Sequence, residues 1–196
     1  KNKKYFRRRI KSNFYSLNKQ QISPYDGLIK KYSKSLNWDW RLVASQVYQE
    51  SKFDPRVSSW AKASGLMQLM PNTAKELGVT NRSDPEQSIK GGTKYLKQLW
   101  KRFEHITDSI QRTKFTMASY NSGLYHVIDA QNLAEIEGLK KDVWDDHVET
   151  IILKLSEPKY YNHPIVKYGY VRGLEPYNYV KQIFERYQHY IQFINE

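Results

Sequence analysis

Apolar residues recur at helical spacing along most of this chain. Ser23-Pro24 reads as an N-cap followed by a first-turn proline, and Leu28, Ile29, Tyr32 and Leu36 then share one face. Asn37-Trp38-Asp39-Trp40 breaks that helix and starts another, with Asp39 as its cap and Pro55 beyond its end. Within it Val43, Val47 and Glu50 are spaced i, i+4, i+7, so a glutamate continues an otherwise apolar face. Val57 to Met70 has little periodicity and reads as a loop. Pro71 opens a short helix that runs through Leu77 and closes at Gly78. Asp84-Pro85-Glu86-Gln87 is a strong helix start, followed by Ile89, Thr93, Leu96, Trp100 and Phe103 on one side.

Asp108 begins the next helix, which runs through Ile110, Phe115 and Ala118 into Ser119-Tyr120-Asn121-Ser122-Gly123. The glycine breaks it, and Tyr125 to Ala130 is helical again. A helix is predicted over Val143 to Leu155, a loop at Tyr160 to Pro164, a non-helical piece at Tyr168 to Gly173, and a last helix over Tyr177 to Ile194. No sustained alternation marks a strand, and no internal repeat is present. The fold class expected is mainly α, several medium helices around one core. A basic arm or linker is expected over Lys1 to Ile22, with Tyr5, Phe6, Phe14 and Tyr15 as its packing residues, and one domain over 23–196.

Composition narrows the chemistry. With 196 residues the chain can bury a real core, and with no cysteine it has no thiol catalysis, disulfide or thiolate metal site. A net charge of +12 attracts polyanions such as nucleic acid, anionic lipid or an acidic wall polymer, but no nucleic-acid module is present. The 16 Tyr and 5 Trp suit a sugar groove as well as a core. No apolar run is long enough to span a membrane, and no apolar signal segment follows the basic start. The first residue is Lys, so a piece of a longer precursor is expected. His105, His126, His147, His163 and His189 lack metal-ligand spacing, and neither metal nor cofactor is expected.

Glu50 is the first candidate for catalysis. A carboxyl on the side of a helix that looks into the core loses water, which raises its pKa and lets it donate a proton near neutral pH. A solvated glutamate in a last helical turn is the plainer alternative. The downstream residues decide between them. Glu50-Ser51 and Pro55, then Ser64-Gly65-Leu66-Met67-Gln68-Leu69-Met70-Pro71-Asn72-Thr73-Ala74, resemble the lytic transglycosylases of the soluble type, which share a lysozyme-like helical fold. Ala118-Ser119-Tyr120-Asn121-Ser122-Gly123 resembles their Ala-Tyr-Asn-Ala-Gly motif. Glu175, Tyr179 and Val180 match their late Glu-Thr-x-x-Tyr-Val motif. Tyr168-Gly169-Tyr170 with Arg172-Gly173-x-Glu175 is similar to the catalytic module of the membrane-bound F class.

The resemblance covers the chain from about Ser23 onward and implies an activity. Such enzymes cleave the β-1,4 bond between N-acetylmuramic acid and N-acetylglucosamine in peptidoglycan and leave 1,6-anhydromuramyl ends without using water. It implies Glu50 as general acid and then base. Ser59 would lie near the muramyl N-acetyl group or Glu50, or cap its own loop. Gln68 would bond sugar substituents, and Met70 would line the groove or pack in the core. Tyr120 would orient the N-acetyl group or bond Glu50, Asn121 would fix a loop or touch sugar, and Tyr179 would point its hydroxyl at Glu50 or the N-acetyl group. Glu175 would have a structural or groove role. Trp60, Tyr125 and Tyr170 are candidate sugar-stacking rings, and Asp54 reads as a turn residue. Trp60 and Lys62 stand where the family has Pro and Gly, which changes this loop.

The partner implied is the glycan strand of peptidoglycan, with no nucleic acid. A monomer is expected, in the periplasm, anchored at the outer membrane in a full-length protein that carries an N-terminal regulatory domain. A hydrolytic lysozyme on the same fold is the main alternative and needs a second carboxylate or a held water. A non-catalytic glycan binder and a basic polyanion binder explain fewer of the motifs.

Overall fold

A computed structural model describes residues 20–195. Most of the basic arm expected over 1–22 lies outside the described residues, including the four aromatics assigned to its packing. Helix α1 (Asp26–Ser33) begins later than its sequence signal. The Asp26 carboxylate accepts the backbone N–H groups of Ile22 and Ser23 at 2.8 and 2.9 Å, and the Ser23 hydroxyl accepts that of Tyr25. Side chains thus close a turn where the helix was expected to start. A 3-10 turn (Lys34–Leu36) comes next, and Asn37, with φ at 55°, ends it.

Helix α2 (Trp40–Ser51) is capped as predicted, with Asp39 accepting the Arg41 backbone N–H at 2.9 Å. Every residue from Trp40 to Tyr48 is buried, so this helix is an axis of the core and not a surface element. It ends ahead of Pro55. Lys52 and Phe53 turn left-handed at φ 52° and 65°, and the buried Phe53 ring meets Tyr48 edge to face at 5.6 Å. Helix α3 (Pro71–Leu77) and its closing Gly78 lie where the pattern put them. In α4 (Pro85–Arg102), Asp84 accepts the Gln87 N–H at 2.8 Å. The Gln87 side chain, however, accepts the N–H groups of Thr80 and Asn81, so it ties the preceding turn and does not complete a capping box.

The described residues fall into two compact units. One holds the chain up to Tyr95 together with the residues from Gln182, and the other is Leu96–Lys181. The second unit contains α5 (Ser109–Ser122), capped by Asp108, and α6 (Leu124–Ile136), with Gly123 at φ 92° between them. The helix predicted over 143–155 is only partly formed. Trp144–Val148 is a wide turn in which Asp145 and Asp146 leave helical geometry, and regular helix is confined to α7 (Glu149–Lys154). The reason lies in α5. Gln111 takes the Trp144 N–H at 2.7 Å and donates to Asp145, while Lys114 pairs with Asp145. Trp144 is thereby buried edge to face against Phe115 at 5.6 Å. The expected loop at 160–164 begins inside a one-turn helix, α8 (Pro158–Tyr161).

The last helix, α9 (Leu174–Phe193), starts earlier than predicted. Its residues from Gln182 on belong to the first unit. There they brace α2 along its length. Arg41 Nη1 donates to the Ile194 carbonyl at 2.6 Å, and the Tyr187 hydroxyl donates to Asp39 at 3.1 Å. Arg186 donates to the Ser45 carbonyl and to Gln49 Oε1, both at 3.2 Å, and lies over the Tyr48 ring at 4.4 Å. The architecture is mainly α. Among the described residues β-pairing is limited to isolated bridges joining Ser58 to Ser64 and Ser64 to Leu69.

Candidate active site

Glu50 lies in the last turn of α2. Val43 and Val47, on the same face, are fully buried, and Glu50 is half-buried where that face meets solvent. Ser51, the next residue, joins this turn to the loop beyond. Its buried hydroxyl lies 3.1 Å from the Val47 carbonyl and 3.0 Å from the Leu66 carbonyl.

The loop over 57–70 is aperiodic but not loose. Ser64 and Leu69 exchange backbone hydrogen bonds at 3.2 and 3.1 Å, closing a tight turn over Gly65–Gln68. Gly65, at φ 83°, donates to the Val57 carbonyl at 3.0 Å, and a Cβ there would come within 1.8 Å of the Arg82 carbonyl oxygen. Only glycine fits both constraints. Gln68 Nε2 donates to the carbonyls of Val57 and Gly65 at 3.0 and 2.9 Å. Arg82 Nη1 donates to Leu69 O at 2.9 Å and also to Lys62 O. Ser88 Oγ accepts the Met67 N–H at 3.1 Å. Leu66, Met67 and Leu69 are buried beneath this frame.

A second turn projects from it. The Ser59 hydroxyl accepts the Ala63 N–H at 3.0 Å, and Lys62 N donates to Ser59 O at 2.9 Å. Of the roles expected for Ser59, the cap on its own loop is the one its bonds display. Trp60 stands at the tip, 91% exposed, and Lys62 is left-handed at φ 68°. A glycine adopts that φ without strain. Met70, 44% exposed, stands outside the core at the start of α3.

Asp54 accepts the Arg56 backbone N–H at 3.0 Å and its guanidinium at 3.3 Å. Those bonds hold its carboxyl below the usual range and fix it in a turn.

The remaining candidates belong to the second unit. Tyr120, half-buried, and Asn121, exposed, close α5 ahead of Gly123. Tyr179 is buried in α9, one turn beyond Glu175, which is exposed and pairs with Arg172 at 3.4 Å. Gly173 packs so closely that a Cβ would come within 1.8 Å of the Ile152 carbonyl oxygen, which explains the glycine of that motif by packing. Tyr125 and Tyr168 stack, and Tyr170 meets Tyr161 edge to face at 5.7 Å. Thus Glu50, Ser59, Gln68 and Met70 share one unit, and Tyr120, Asn121, Glu175 and Tyr179 share the other.

Sequence reading missed two supporting residues. Arg82 carries the loop but sits in a polar turn without periodicity. Asp129, inside α6, is 1% exposed, and its carboxylate accepts the N–H groups of Lys167 at 3.1 Å and Tyr168 at 2.7 Å. A weak signal existed for the packing around Met67. The pair Gly91-Gly92 in mid-helix marks a close approach, since a Cβ at Gly92 would come within 2.6 Å of that side chain.

Comparison with known proteins gives this geometry its relatives. The family model described as the transglycosylase SLT domain matches residues 27–143. The membrane-bound lytic murein transglycosylase F of Pseudomonas fluorescens (strain Pf0-1) is 42% identical over 168 residues, covering 86% of this chain and 34% of that protein. Its namesake from Maricaulis maris (strain MCS10) is 42% identical over 165 residues, covering 84% of this chain and 36% of that protein. The chain therefore spans about a third of the length of these curated relatives. Among solved structures, the 70 kDa soluble lytic transglycosylase of Escherichia coli superposes with a TM-score of 0.59 at 23% identity, covering 88% of this chain and 25% of that one. The lytic transglycosylase Slt of Pseudomonas aeruginosa, solved as an inactive mutant, gives 0.57 at 20% identity, covering 86% of this chain and 24% of that one. The fold is lysozyme-like, as expected.

Proposed function

The chain belongs to the transglycosylase SLT family, and on that premise we propose that it is a peptidoglycan lytic transglycosylase with Glu50 as its acid and base. The observation that carries the reading is the placement of Glu50. A half-buried carboxyl ends a buried helix and adjoins a loop held rigid by Ser51, Gln68 and Arg82. Preorganised surroundings of this kind are what acid–base catalysis needs.

The reaction balances without water. The Glu50 carboxylic acid donates its proton to the oxygen linking muramyl C1 to the C4 of N-acetylglucosamine. The C1–O bond breaks, and the glucosaminyl 4-hydroxyl leaves. The muramyl N-acetyl carbonyl oxygen bonds to C1 in its place. The muramyl C6 oxygen then attacks C1, its proton passes to the Glu50 carboxylate, and the bond from C1 to the acetyl oxygen breaks. The 1,6-anhydro ring is left, and Glu50 is again protonated.

A single carboxylate suffices for this route, whereas a retaining hydrolase uses two. Asp54 and Glu175 are the motif-linked alternatives, and both are held in local pairs with Arg56 and Arg172. Ser59, Gln68 and Met70 would shape the groove on the Glu50 side. Tyr120 and Tyr179 would act on the N-acetyl group or on Glu50, Asn121 would fix its loop or touch sugar, and Glu175 would have a structural or groove role. Among the described residues no helix is long and apolar enough to cross a membrane. The relatives are called membrane-bound, which supports a place in the cell envelope, the periplasmic face of the outer membrane, for the whole protein. Their greater length supports a further regulatory domain. Digestion of purified peptidoglycan by this chain and by Glu50→Gln, with products weighed by mass spectrometry, tests the reading. Anhydromuramyl ends, one water lighter than reducing ends and made by the unsubstituted chain alone, are expected. Reducing ends would overturn it in favour of a hydrolase.

A further inference from the structure

The loop over 57–70 is two turns in series, and one side chain reaches both. The inner turn, Gly65–Gln68, carries Gln68, and the outer turn, Ser59–Ala63, carries Trp60. Each holds a residue other than glycine at positive φ, Gln68 at 46° and Lys62 at 68°. Backbone strain of this kind persists only where the surroundings over-determine it.

The inner turn is heavily determined. Ser64 and Leu69 close it, the Gln68 side chain donates to the Val57 and Gly65 carbonyls, Ser88 takes the Met67 N–H, and Ser51 reaches the Leu66 carbonyl. The outer turn has less. Ser58, Ser59, Lys62 and Ala63 bond one another. Among the described residues, its hydrogen bond from outside the loop is the one Arg82 Nη1 donates to the Lys62 carbonyl. The same nitrogen donates to the Leu69 carbonyl at 2.9 Å, at the foot of the inner turn.

Arg82 is suited to be a fixed point. Its guanidinium forms no ion pair among the described residues, so its donors serve carbonyls and not a carboxylate. Its own turn is tied to α4, since Gln87 takes the N–H groups of Thr80 and Asn81, and Asn81 accepts those of Ser83 and Asp84. Its carbonyl closes on Gly65, where a Cβ would come within 1.8 Å.

We propose that Arg82 is a positioning residue for the substrate: it locks the outer turn, and the Trp60 indole with it, in one place relative to the turn that carries Gln68. The inference rests on the proposed function, which puts this loop on the groove side of Glu50. The inner turn keeps its other bonds when Arg82 is lost. The chemistry at Glu50 then stays assembled, and the fit of the strand suffers.

Steady-state cleavage of soluble glycan strands by the chain, Arg82→Gln and Arg82→Lys separates this role from a merely structural one. Arg82→Gln is expected to raise KM about tenfold, the equivalent of one charged hydrogen bond, with kcat within about twofold. Arg82→Lys keeps a donor on a shorter stem and should recover part of that loss. A variant that is only less folded would lose kcat at unchanged KM, and that result would overturn the proposal. So would unchanged KM and kcat. Limited trypsin digestion reads the lock without the cleavage assay. Cutting after the exposed Lys62 should be about tenfold faster in Arg82→Gln, while cutting after Lys94 and Lys97 of α4 keeps its rate. Equal rates at Lys62 would overturn the proposal. A loosened Lys62 in a chain that cleaves no peptidoglycan would overturn the proposed function and leave the lock itself standing. Cleavage of peptidoglycan with Lys62 equally protected in both chains would do the reverse.

Discussion

The Tyr168 ring lies flat on the Tyr125 ring, with centroids 4.5 Å apart and planes 10° from parallel. The stack is exposed, so ring contact alone does not account for it. Asp129, one turn beyond Tyr125 on α6, takes the backbone N–H groups of Lys167 and Tyr168 and lays that segment over the helix. Asp129→Ala leaves two amide donors without their acceptor and is expected to cost about 2–3 kcal/mol. Urea unfolding measures the loss, and a weakened near-UV signal from the tyrosine pair reports the released segment. Full stability in this variant would show that the stack holds itself.

At the tip of the 57–70 loop, Lys62 adopts φ 68°. A residue with a Cβ is strained there, and glycine is not. Lys62→Gly is expected to raise stability by up to about 1 kcal/mol, read as a higher urea midpoint. A loss would mean that the lysine side chain contributes more than the strain costs.

Asp39 sets an acid limit on the first unit. Burial by itself would raise its carboxyl; the hydrogen bonds and charge of Arg41, helped by the Tyr187 hydroxyl, outweigh burial and hold it below its ordinary value. A carboxyl depressed in the folded state adds stability above its unfolded pKa, near 4, and that stability disappears as pH falls through the lower folded value. Unfolding midpoints are expected to drop below about pH 4, and Asp39→Asn should flatten that drop while lowering stability at pH 7. An unchanged acid profile in the variant would assign the acid loss elsewhere.

Glu50 and Glu175 differ in their expected kinetic weight. Replacing a general acid typically costs 10²–10⁴ in rate, so Glu50→Gln should lose about a thousandfold. Glu175 is exposed and paired with Arg172. Glu175→Gln is expected to keep activity within about twofold, since exposed pairs contribute little. Initial rates of product release from peptidoglycan compare them. Equal losses would point to a second working carboxylate.

Much of this was legible in the residues because the signals were local. Asp39 and Asp84 cap the helices they were expected to cap, Asp108 caps the one it was expected to begin, and Pro71 to Gly78 is bounded as its end residues foretold. What sequence misplaced was decided at a distance. The pattern over 143–155 was sound for a helix, yet Gln111 and Lys114, more than thirty residues earlier, take the backbone and carboxylate of the first turn. The start of α1 shifted because Asp26 reached back to two amides. The motif residues marked Glu50 and its loop as candidates. Arg82 and Asp129 were not, because a side chain that bonds distant backbone carries no periodic trace.

The bracing of α2 by the end of α9 bears on how the chain folds during synthesis. Arg41 grips the carbonyl of Ile194, and Arg186 reaches Ser45 and Gln49. The unit holding Glu50 is thus built from both ends of the described sequence, while Leu96–Lys181 is continuous. A ribosome that has not yet released α9 has delivered the glutamate but not its brace. The continuous middle unit can settle first, and the helix carrying Glu50 acquires its last partners only when α9 emerges. Emergence of α9 is then the step that closes the unit around the Glu50 carboxyl, and a chain cut short of α9 is left without the brace on the helix that carries it.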